Sequence, residues 1–366
     1  MNPHDNQGLI RVLIADDSAF MRTALTRMIQ SDPGLQVSGT AQTGLEALEK
    51  IAFLNPDVVT LDVEMPGLNG IETLKRIMKD TPRPVIMVSS LTQEGAETTL
   101  EALSLGAFDC LPKQHSYVSL DIIKIRDDLI SKVKAAAESG RRRMATRVSR
   151  LTTPVEPAKI HPRAAHYSPA SVVTLGTSTG GPKALQEILP LFPSDLGVGI
   201  LIVQHMPKGF TGPFARRLDN LCKVKVSEAI HDEIIEPGHV YIAPAGQHMT
   251  FARKTASKVA IRLSHSPEGT LHRPSVDVMM LSAADVFRGL CMGIIMTGMG
   301  ADGLEGMRAI NREGGLTVGQ DESSCTVYGM PRSCAENGVL ERVVPLLQIP
   351  EQIMLATNYH RQPQPH

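Results

Sequence analysis

The stretch Ser171-Val-Val-Thr-Leu-Gly-Thr-Ser178-Thr-Gly-Gly181 decides how this chain is read. A short β-branched apolar run ends in a turn rich in Gly, Thr and Ser, and a helical pattern from Pro182 to Phe192 follows at once. Strand, tight turn and helix start together present a hydroxyl at a strand end, beside backbone N–H groups that no helical carbonyl satisfies. The string Gly176-Thr-Ser178-Thr-Gly180 fits the Gly-x-Ser-x-Gly turn that exposes a nucleophilic serine. The same serine also suits a plain helix cap. What lies at the other strand ends decides between the two.

Downstream, Gly199-Ile-Leu-Ile-Val203 is a continuous apolar run followed by Gln204-His205-Met206-Pro207. Cys291 to Met296 is another, followed by Thr297-Gly-Met-Gly-Ala-Asp302-Gly303. Strands alternating with helices predict a parallel sheet, which brings the carboxyl ends of separate strands to one edge. Ser178, His205 and Asp302 then meet there despite their separation in sequence. An imidazole can take the serine proton near neutral pH, and a carboxylate can hold that imidazole and stabilise its cation. N–H groups of Thr179–Gly181 or of Gly298–Gly303 are candidates for the oxyanion. The chain order Ser…His…Asp differs from the Ser…Asp…His order of the α/β-hydrolases. Other histidines of this region, at 231, 239, 248, 265 and 272, read as surface or structural residues. Ala229–Thr250 reads as hairpins, and Ser275 as the cap of a helix Val276–Ala284. A substrate-side role is open to the His272 segment. Gly176-x-Ser178 lacks the further glycine of a dinucleotide fingerprint.

The first half repeats the alternation. Strands are predicted at Leu9–Ala15, Leu35–Thr40, Val58–Leu61, Val85–Ser89 and Cys110–Leu111. Helices are predicted near Ala19–Ser31, Gly44–Asn55, Gly70–Asp80, Gln93–Leu105 and Val118–Glu138. Five βα units imply an open parallel sheet with helices on both faces. Its strand ends are chemically loaded: Asp16 and Asp17 follow the first, Asp62 the third, Ser89 and Ser90 end the fourth, and Lys113 follows the fifth. Three clustered carboxylates are costly unless a hard cation neutralises them, and carboxylate with water suits Mg²⁺. A lysine and a hydroxyl beside them can hold phosphoryl oxygens.

A chain of 366 residues has material for two cores, and its net charge of −1 creates no field that would draw it to nucleic acid or a membrane. Trp is absent, so no base-stacking platform is expected. The five cysteines form no CxxC pair and read as reduced thiols. No apolar run has the length of a membrane span, and Met1–Gly8 is too polar for a signal peptide. The expected location is cytoplasmic, with neither nucleic-acid binding nor membrane insertion. Between about Ala135 and Ala170 the periodicity fades, basic residues alternate with Ser and Thr, and Pro154, Pro157, Pro162 and Pro169 oppose a continuous helix. A flexible or extended connector is expected there.

The motifs place both halves among known families. Residues 9–130 resemble a response-regulator receiver domain, a (βα)5 unit with a flavodoxin-like parallel sheet. That resemblance implies Asp62 as phospho-acceptor, with Asp16, Asp17, Asp62 and the Glu64 carbonyl holding Mg²⁺. It also implies Ser89 and Lys113 as phosphoryl contacts. The order here is Leu-Pro-Lys113, and Cys110 stands where receivers often carry an aromatic switch residue. Residues 170–355 resemble the catalytic domain of the chemotaxis protein-glutamate methylesterases, which are also glutamine deamidases. The carriers are Gly-Thr-Ser-Thr-Gly-Gly, Gln-His-Met-Pro, Arg-Pro-Ser-Val-Asp and Thr-Gly-Met-Gly-x-Asp-Gly, in this order. This resemblance implies a doubly wound, mainly parallel α/β domain with Ser178 as nucleophile, His205 as base and Asp302 as orienting acid. Thr179 and the Met299 backbone are then in the active-site shell, and hydrolysis needs no cofactor.

The expected organisation is a receiver at 9–130, a basic linker at 131–169, a catalytic domain at 170–355 and a polar tail at 356–366. The implied function is phosphorylation-activated demethylation and deamidation of methyl-accepting chemoreceptors, on their cytoplasmic helices, with a chemotaxis histidine kinase as phosphodonor. Two alternatives stay open from the residues alone. One is a phospho-regulated serine hydrolase with another ester or amide substrate. The other is a receiver whose second domain only binds a partner.

Overall fold

Apolar runs without polar alternation suit strands covered on both faces, and that is how parallel sheets are built. Both units of this chain follow the rule. The structure, a computed structural model, describes residues 8–90, 92–113, 121–149 and 168–359. The chain divides into the units Met1–Val155 and Glu156–His366.

The first unit alternates β1 (Ile10–Ala15), α1 (Ala19–Gln30), β2 (Leu35–Ala41), α2 (Gly44–Leu54), β3 (Val58–Asp62), α3 (Gly70–Asp80), β4 (Val85–Ser89), α4 (Gln93–Ser104), β5 (Asp109–Pro112) and α5 (Asp121–Ser149). All strand pairs are parallel and the order is β2-β1-β3-β4-β5. Val12–Ile14, Val59, Leu61 and Ile86–Val88 are wholly buried. Ser18, Thr43, Asn69 and Thr92 cap the first four helices, each accepting a backbone N–H three residues on. The last helix differs from expectation. It reaches Ser149, so residues 131–149, expected as connector, are helical. Fading apolar periodicity removes a buried face but does not end a helix. Ala, Arg, Met and Glu dominate Ala135–Thr146, and the first proline comes only at Pro154. Residues 118–120, 150–167 and 360–366, which include most of the expected connector and tail, lie outside the described residues.

The second unit comprises β6 (Val172–Thr177), α6 (Gly181–Ile188), β7 (Gly199–Gln204), α7 (Thr211–Asp219), β8 (Lys225–Glu228), β9 (His239–Ile242), β10 (His248–Arg253), β11 (Val259–Ser264), α8 (Val276–Phe287), β12 (Cys291–Ile295), α9 (Leu304–Arg312), β13 (Thr317–Gln320), α10 (Met330–Glu336), β14 (Arg342–Val344) and α11 (Ile349–Ala356). Seven strands form a parallel sheet in the order β14-β13-β12-β6-β7-β9-β8. From β6 the chain winds first to β7 and later, on the other side, to β12. The crevice of such a sheet opens at the carboxyl ends where the winding reverses, here the end of β6.

The stretch Ala229–Thr250 is not a set of hairpins. Its strand β9 is buried throughout and pairs in parallel with β7 and β8. The antiparallel hairpin is β10–β11. Turn residues Pro237-Gly238 mark a chain reversal equally well before a parallel strand, which is why the sequence misleads here.

His239, the first residue of β9, is buried, with Nε2 2.8 Å from the Ser227 hydroxyl and its ring 3.9 Å from that of Tyr241. Burial, helped by Lys225, pushes its pKa down to about 4. The unfolded chain therefore binds a proton here that the folded chain rejects between about pH 6.5 and pH 4. Stability is complete above that window and falls as pH drops through it. Because β9 lies beside the edge strand, solvent screens part of the effect, leaving on the order of 1–3 kcal/mol. Urea titrations at pH 7 and pH 4.5 should show a smaller stability loss in His239→Gln than in the wild type. An equal loss in both would assign the acid sensitivity elsewhere.

Candidate functional site

The register of β6 on β7 pairs Thr177 with Gln204, so Ser178 and His205 are the next residues of two adjacent strands. Two hydrogen bonds fix them. The His205 N–H donates to the Thr177 carbonyl at 3.1 Å, and the Ser178 N–H donates to that of Thr297 at 3.0 Å. The Gln204 amide nitrogen donates to both the Ser178 and the His205 carbonyl, at 3.0 and 2.9 Å, tying the two loops together. Gly180 makes the turn into α6 at φ +81°, where a β-carbon would also lie 2.4 Å from Thr326.

Asp302 reaches this edge from the loop after β12. Its Oδ2 lies 2.8 Å from His205 Nε2 and accepts the Val276 N–H at 2.8 Å. Its Oδ1 accepts the Ser275 hydroxyl at 2.8 Å and the Asp277 N–H at 3.0 Å. The carboxylate thus sits on the N-terminus of α8, whose first N–H groups have no helical acceptor. Burial alone would raise its pKa. The hydrogen bond and charge of His205, with the Asp277 and Val276 N–H groups, outweigh that, so the carboxyl is held below the ordinary range. Asp302 therefore remains an anion.

The imidazole is oriented by this contact. With Nε2 facing Asp302, the second nitrogen, Nδ1, is buried and has no partner among the described residues. An imidazole held at one nitrogen by a carboxylate, with the other free beside a serine, can accept a proton and stabilise the resulting cation. The His272 ring stacks on it with centroids 4.1 Å apart. Thr179 is buried, and its carbonyl accepts the Thr297 hydroxyl at 2.9 Å. Met299 follows Gly298 in the facing loop and is half-buried.

The first unit carries a second polar centre. Asp16 and Asp62 are buried at the ends of β1 and β3 while Asp17 is exposed, and the three offer oxygens within 4.8 Å of one another. The Lys113 ammonium lies 2.6 Å from Asp62 Oδ2 and 3.2 Å from Asp16 Oδ2. Asp62 Oδ1 accepts the Glu64 N–H at 3.2 Å. Burial pushes the Asp62 pKa up to about 6 against the pull of Lys113, with Asp16 adding repulsion, and burial raises Asp16 too. Apart from the Lys113 ammonium, Asp16 Oδ2 has no polar partner among the described residues. One lysine thus faces two buried carboxylates, and a hard divalent cation fits the remaining oxygens. The Ser89 hydroxyl does not join them: it donates to the Gly95 carbonyl at 3.1 Å.

Several contributors were not foreseen from sequence. Ser275 caps α8 as expected, accepting the Val278 N–H at 3.3 Å, but it also donates to Asp302. His248, expected to be structural, accepts the Ser275 N–H at 3.2 Å and so supports that donor. In the first unit, Arg22 donates to the Asp16 and Asp17 carbonyls, both at 2.9 Å, and fixes the acidic loop. The Arg-Pro-Ser-Val-Asp motif was the available signal for Ser275. Gln204 lay within the Gln-His-Met-Pro motif, whereas Arg22 carried no signal.

Comparison with known proteins gives a family for each unit. Residues 12–122 match the response regulator receiver domain family and residues 173–353 the CheB methylesterase family. A protein-glutamate methylesterase/protein-glutamine glutaminase of Pyrococcus horikoshii is 46% identical over 353 residues, covering 96% of this chain and 95% of its own. One from Oleidesulfovibrio alaskensis is 46% identical over 370 residues, with 95% and 99% covered. The crystal structure of the Thermotoga maritima CheB methylesterase catalytic domain superposes with a TM-score of 0.50 at 37% identity, covering 51% of this chain and 99% of that one. A receiver sheet followed by a parallel α/β unit, matched along nearly its whole length, thus places this chain in the family of protein-glutamate methylesterase/protein-glutamine glutaminases.

Proposed function

We propose that the chain removes methyl groups from glutamyl methyl esters on the cytoplasmic helices of methyl-accepting chemoreceptors, deamidates receptor glutamines, and is activated by phosphorylation of Asp62. The reading rests above all on the 2.8 Å His205–Asp302 contact beside Ser178 at the switch point of the sheet. Ser178 Oγ attacks the γ-carbonyl as His205 Nδ1 takes its proton. Asp302 stabilises the imidazolium, which then protonates the departing methoxide oxygen so that methanol leaves. Water, deprotonated by the same nitrogen, hydrolyses the acyl-enzyme and leaves glutamate. Ammonia leaves in the same way from glutamine, because both substrates pass through one tetrahedral oxyanion. The N–H groups of Ser178, Gly181 and Gly298 are committed to carbonyl acceptors. The Met299 N–H, which has no acceptor among the described residues, is the oxyanion donor we assign, with Thr179 lining the same shell.

In the receiver, Asp62 accepts the phosphoryl group from a chemotaxis histidine kinase. Asp16, Asp17, Asp62 and the Glu64 carbonyl would hold Mg²⁺, which would neutralise charge on the phosphoryl oxygens. Lys113 stays paired with the phosphorylated side chain, and the Ser89 hydroxyl would have to leave Gly95 to contact it. No helix among the described residues is long and apolar enough to cross a membrane, and the assigned substrate places the reaction in the cytoplasm.

The test is methanol release from methylated chemoreceptor membranes, with and without Mg²⁺ and a small acyl phosphate. Release should rise when Asp62 is phosphorylated, and Asp62→Asn should abolish the rise. Phosphorylation of Asp62 without any methanol release would move the second unit to another substrate.

A further inference from the structure

Arg273 stands in the loop that assembles the catalytic edge. The residue before it, His272, stacks on His205, and Ser275, two residues after it, donates to Asp302. Its own carbonyl accepts the Gly246 N–H at 2.9 Å, so the loop is pinned on both sides of the arginine. The side chain is partly buried, and its Nε is fully buried with no hydrogen-bond partner. Among the described residues no carboxylate pairs with this guanidinium and no group accepts from it. Lys208, three residues after His205, lies with its aliphatic stem close against Gly246, and its ammonium likewise pairs with no described carboxylate.

A cation taken partly out of water with no anion beside it is unfavourable unless something supplies the anion. Exposed arginines satisfy themselves with solvent. The sealed Nε of Arg273 is out of reach of a ligand, so an incoming acceptor meets the two terminal nitrogens, for which the described residues offer no acceptor. A guanidinium presents a fork of donors that matches a carboxylate in two parallel hydrogen bonds. Nothing among the described residues occupies that fork.

We propose that Arg273 is a specificity residue which binds a carboxylate of the substrate peptide, on an acidic residue close to the scissile side chain, with Lys208 adding to the same positive rim. This rests on the methylesterase reading and deepens it: the preferred substrate is an ester or amide of glutamate set among unmodified acidic side chains. Arg273 has no part in the bond-breaking steps. Its contact forms on binding, weakens with salt, and is felt in KM more than in kcat.

The experiment pairs two helical peptides with two enzymes, using the full chain. Each peptide carries one glutamyl methyl ester, and one turn away it carries either Glu or Gln. Binding is measured with the Ser178→Ala protein, with and without Arg273→Gln, and methanol release separately with active enzyme. The Arg273 protein should bind the Glu peptide about tenfold more tightly than the Gln peptide, and Arg273→Gln should erase that preference. Arg273→Lys should restore part of it, since it keeps the charge but loses the fork. In active enzyme the loss should appear in KM for the Glu peptide and be much smaller for the Gln peptide. Equal preference with and without Arg273 overturns the proposal, as does equal loss on both peptides, which would mark Arg273 as a support for the Ser275 loop only. If methanol is released from neither peptide the methylesterase reading fails, while the binding preference still decides the role of Arg273.

Discussion

Methanol release falls by about 10⁵-fold in Ser178→Ala and by about 10³–10⁴-fold in Asp302→Asn, with KM changed much less than kcat in both. The serine is the only group that forms the acyl bond in the proposed path, so its loss leaves the preorganised donors and binding alone. The Asp302 result follows from its four donors. Oδ2 serves His205 and the Val276 N–H, and Oδ1 serves the Ser275 hydroxyl and the Asp277 N–H. An asparagine must turn its NH₂ toward one of these pairs. Toward His205 it would force the wrong tautomer and oppose the Val276 N–H. Toward Ser275 the hydroxyl can rotate to accept, and only the Asp277 N–H is left unsatisfied. The second arrangement is favoured and keeps His205 Nδ1 as the base. What is lost is the anion that stabilises the imidazolium in the transition state. Because the groups act as a unit, Ser178→Ala/Asp302→Asn should be no slower than Ser178→Ala. Additive losses in the double variant would place Asp302 outside the catalytic unit.

The alternation of strands and helices and the loading of strand ends were legible because parallel sheets write themselves as apolar runs, and chemistry gathers where those runs stop. Asp16, Asp62 and Lys113 meet at one edge for that reason, as do Ser178, His205 and Asp302. Three kinds of information were not legible. The direction of β9 depends on which neighbour it pairs with, and Pro237-Gly238 says only that the chain turns. The end of α5 depends on intrinsic propensity after the apolar face is gone, and Ser149 lies well beyond the last apolar repeat. The aim of side chains is set by tertiary contact. Ser89 ends β4 as expected but donates to Gly95, and His205 shows Asp302 its Nε2 because the α8 N-terminus fixes where the carboxylate sits. A polar residue at a strand end is a sequence fact, whereas its hydrogen-bond partner is a property of the packed loop.

That packing explains why Gly176→Val, two residues before the serine and within β6, should slow turnover by about 10²-fold without altering any residue of the triad. A β-carbon at Gly176 would lie 2.3 Å from Val276 Cγ1 and 3.2 Å from Ile295 Cδ1. Val276 is the first residue of α8, and its N–H holds Asp302 Oδ2. Space around Val276 is already tight, since Gly303 comes so close that a β-carbon there would lie 2.9 Å from Val276 Cγ1. A larger residue at 176 must therefore displace the start of α8 and, with it, two of the donors that seat the carboxylate. Overpacking of this kind costs about 1–3 kcal/mol, which lowers Tm by roughly 3–10 °C in a domain of this size. Displacing the carboxylate by an ångström costs about 10²-fold in kcat. Gly197→Ala serves as the control, since a β-carbon there meets nothing within 4 Å. Thermal unfolding and methanol release measured on both variants separate the two effects. If Gly176→Val loses stability but keeps full turnover, α8 moves without Asp302, and the helix N-terminus is not what positions the acid.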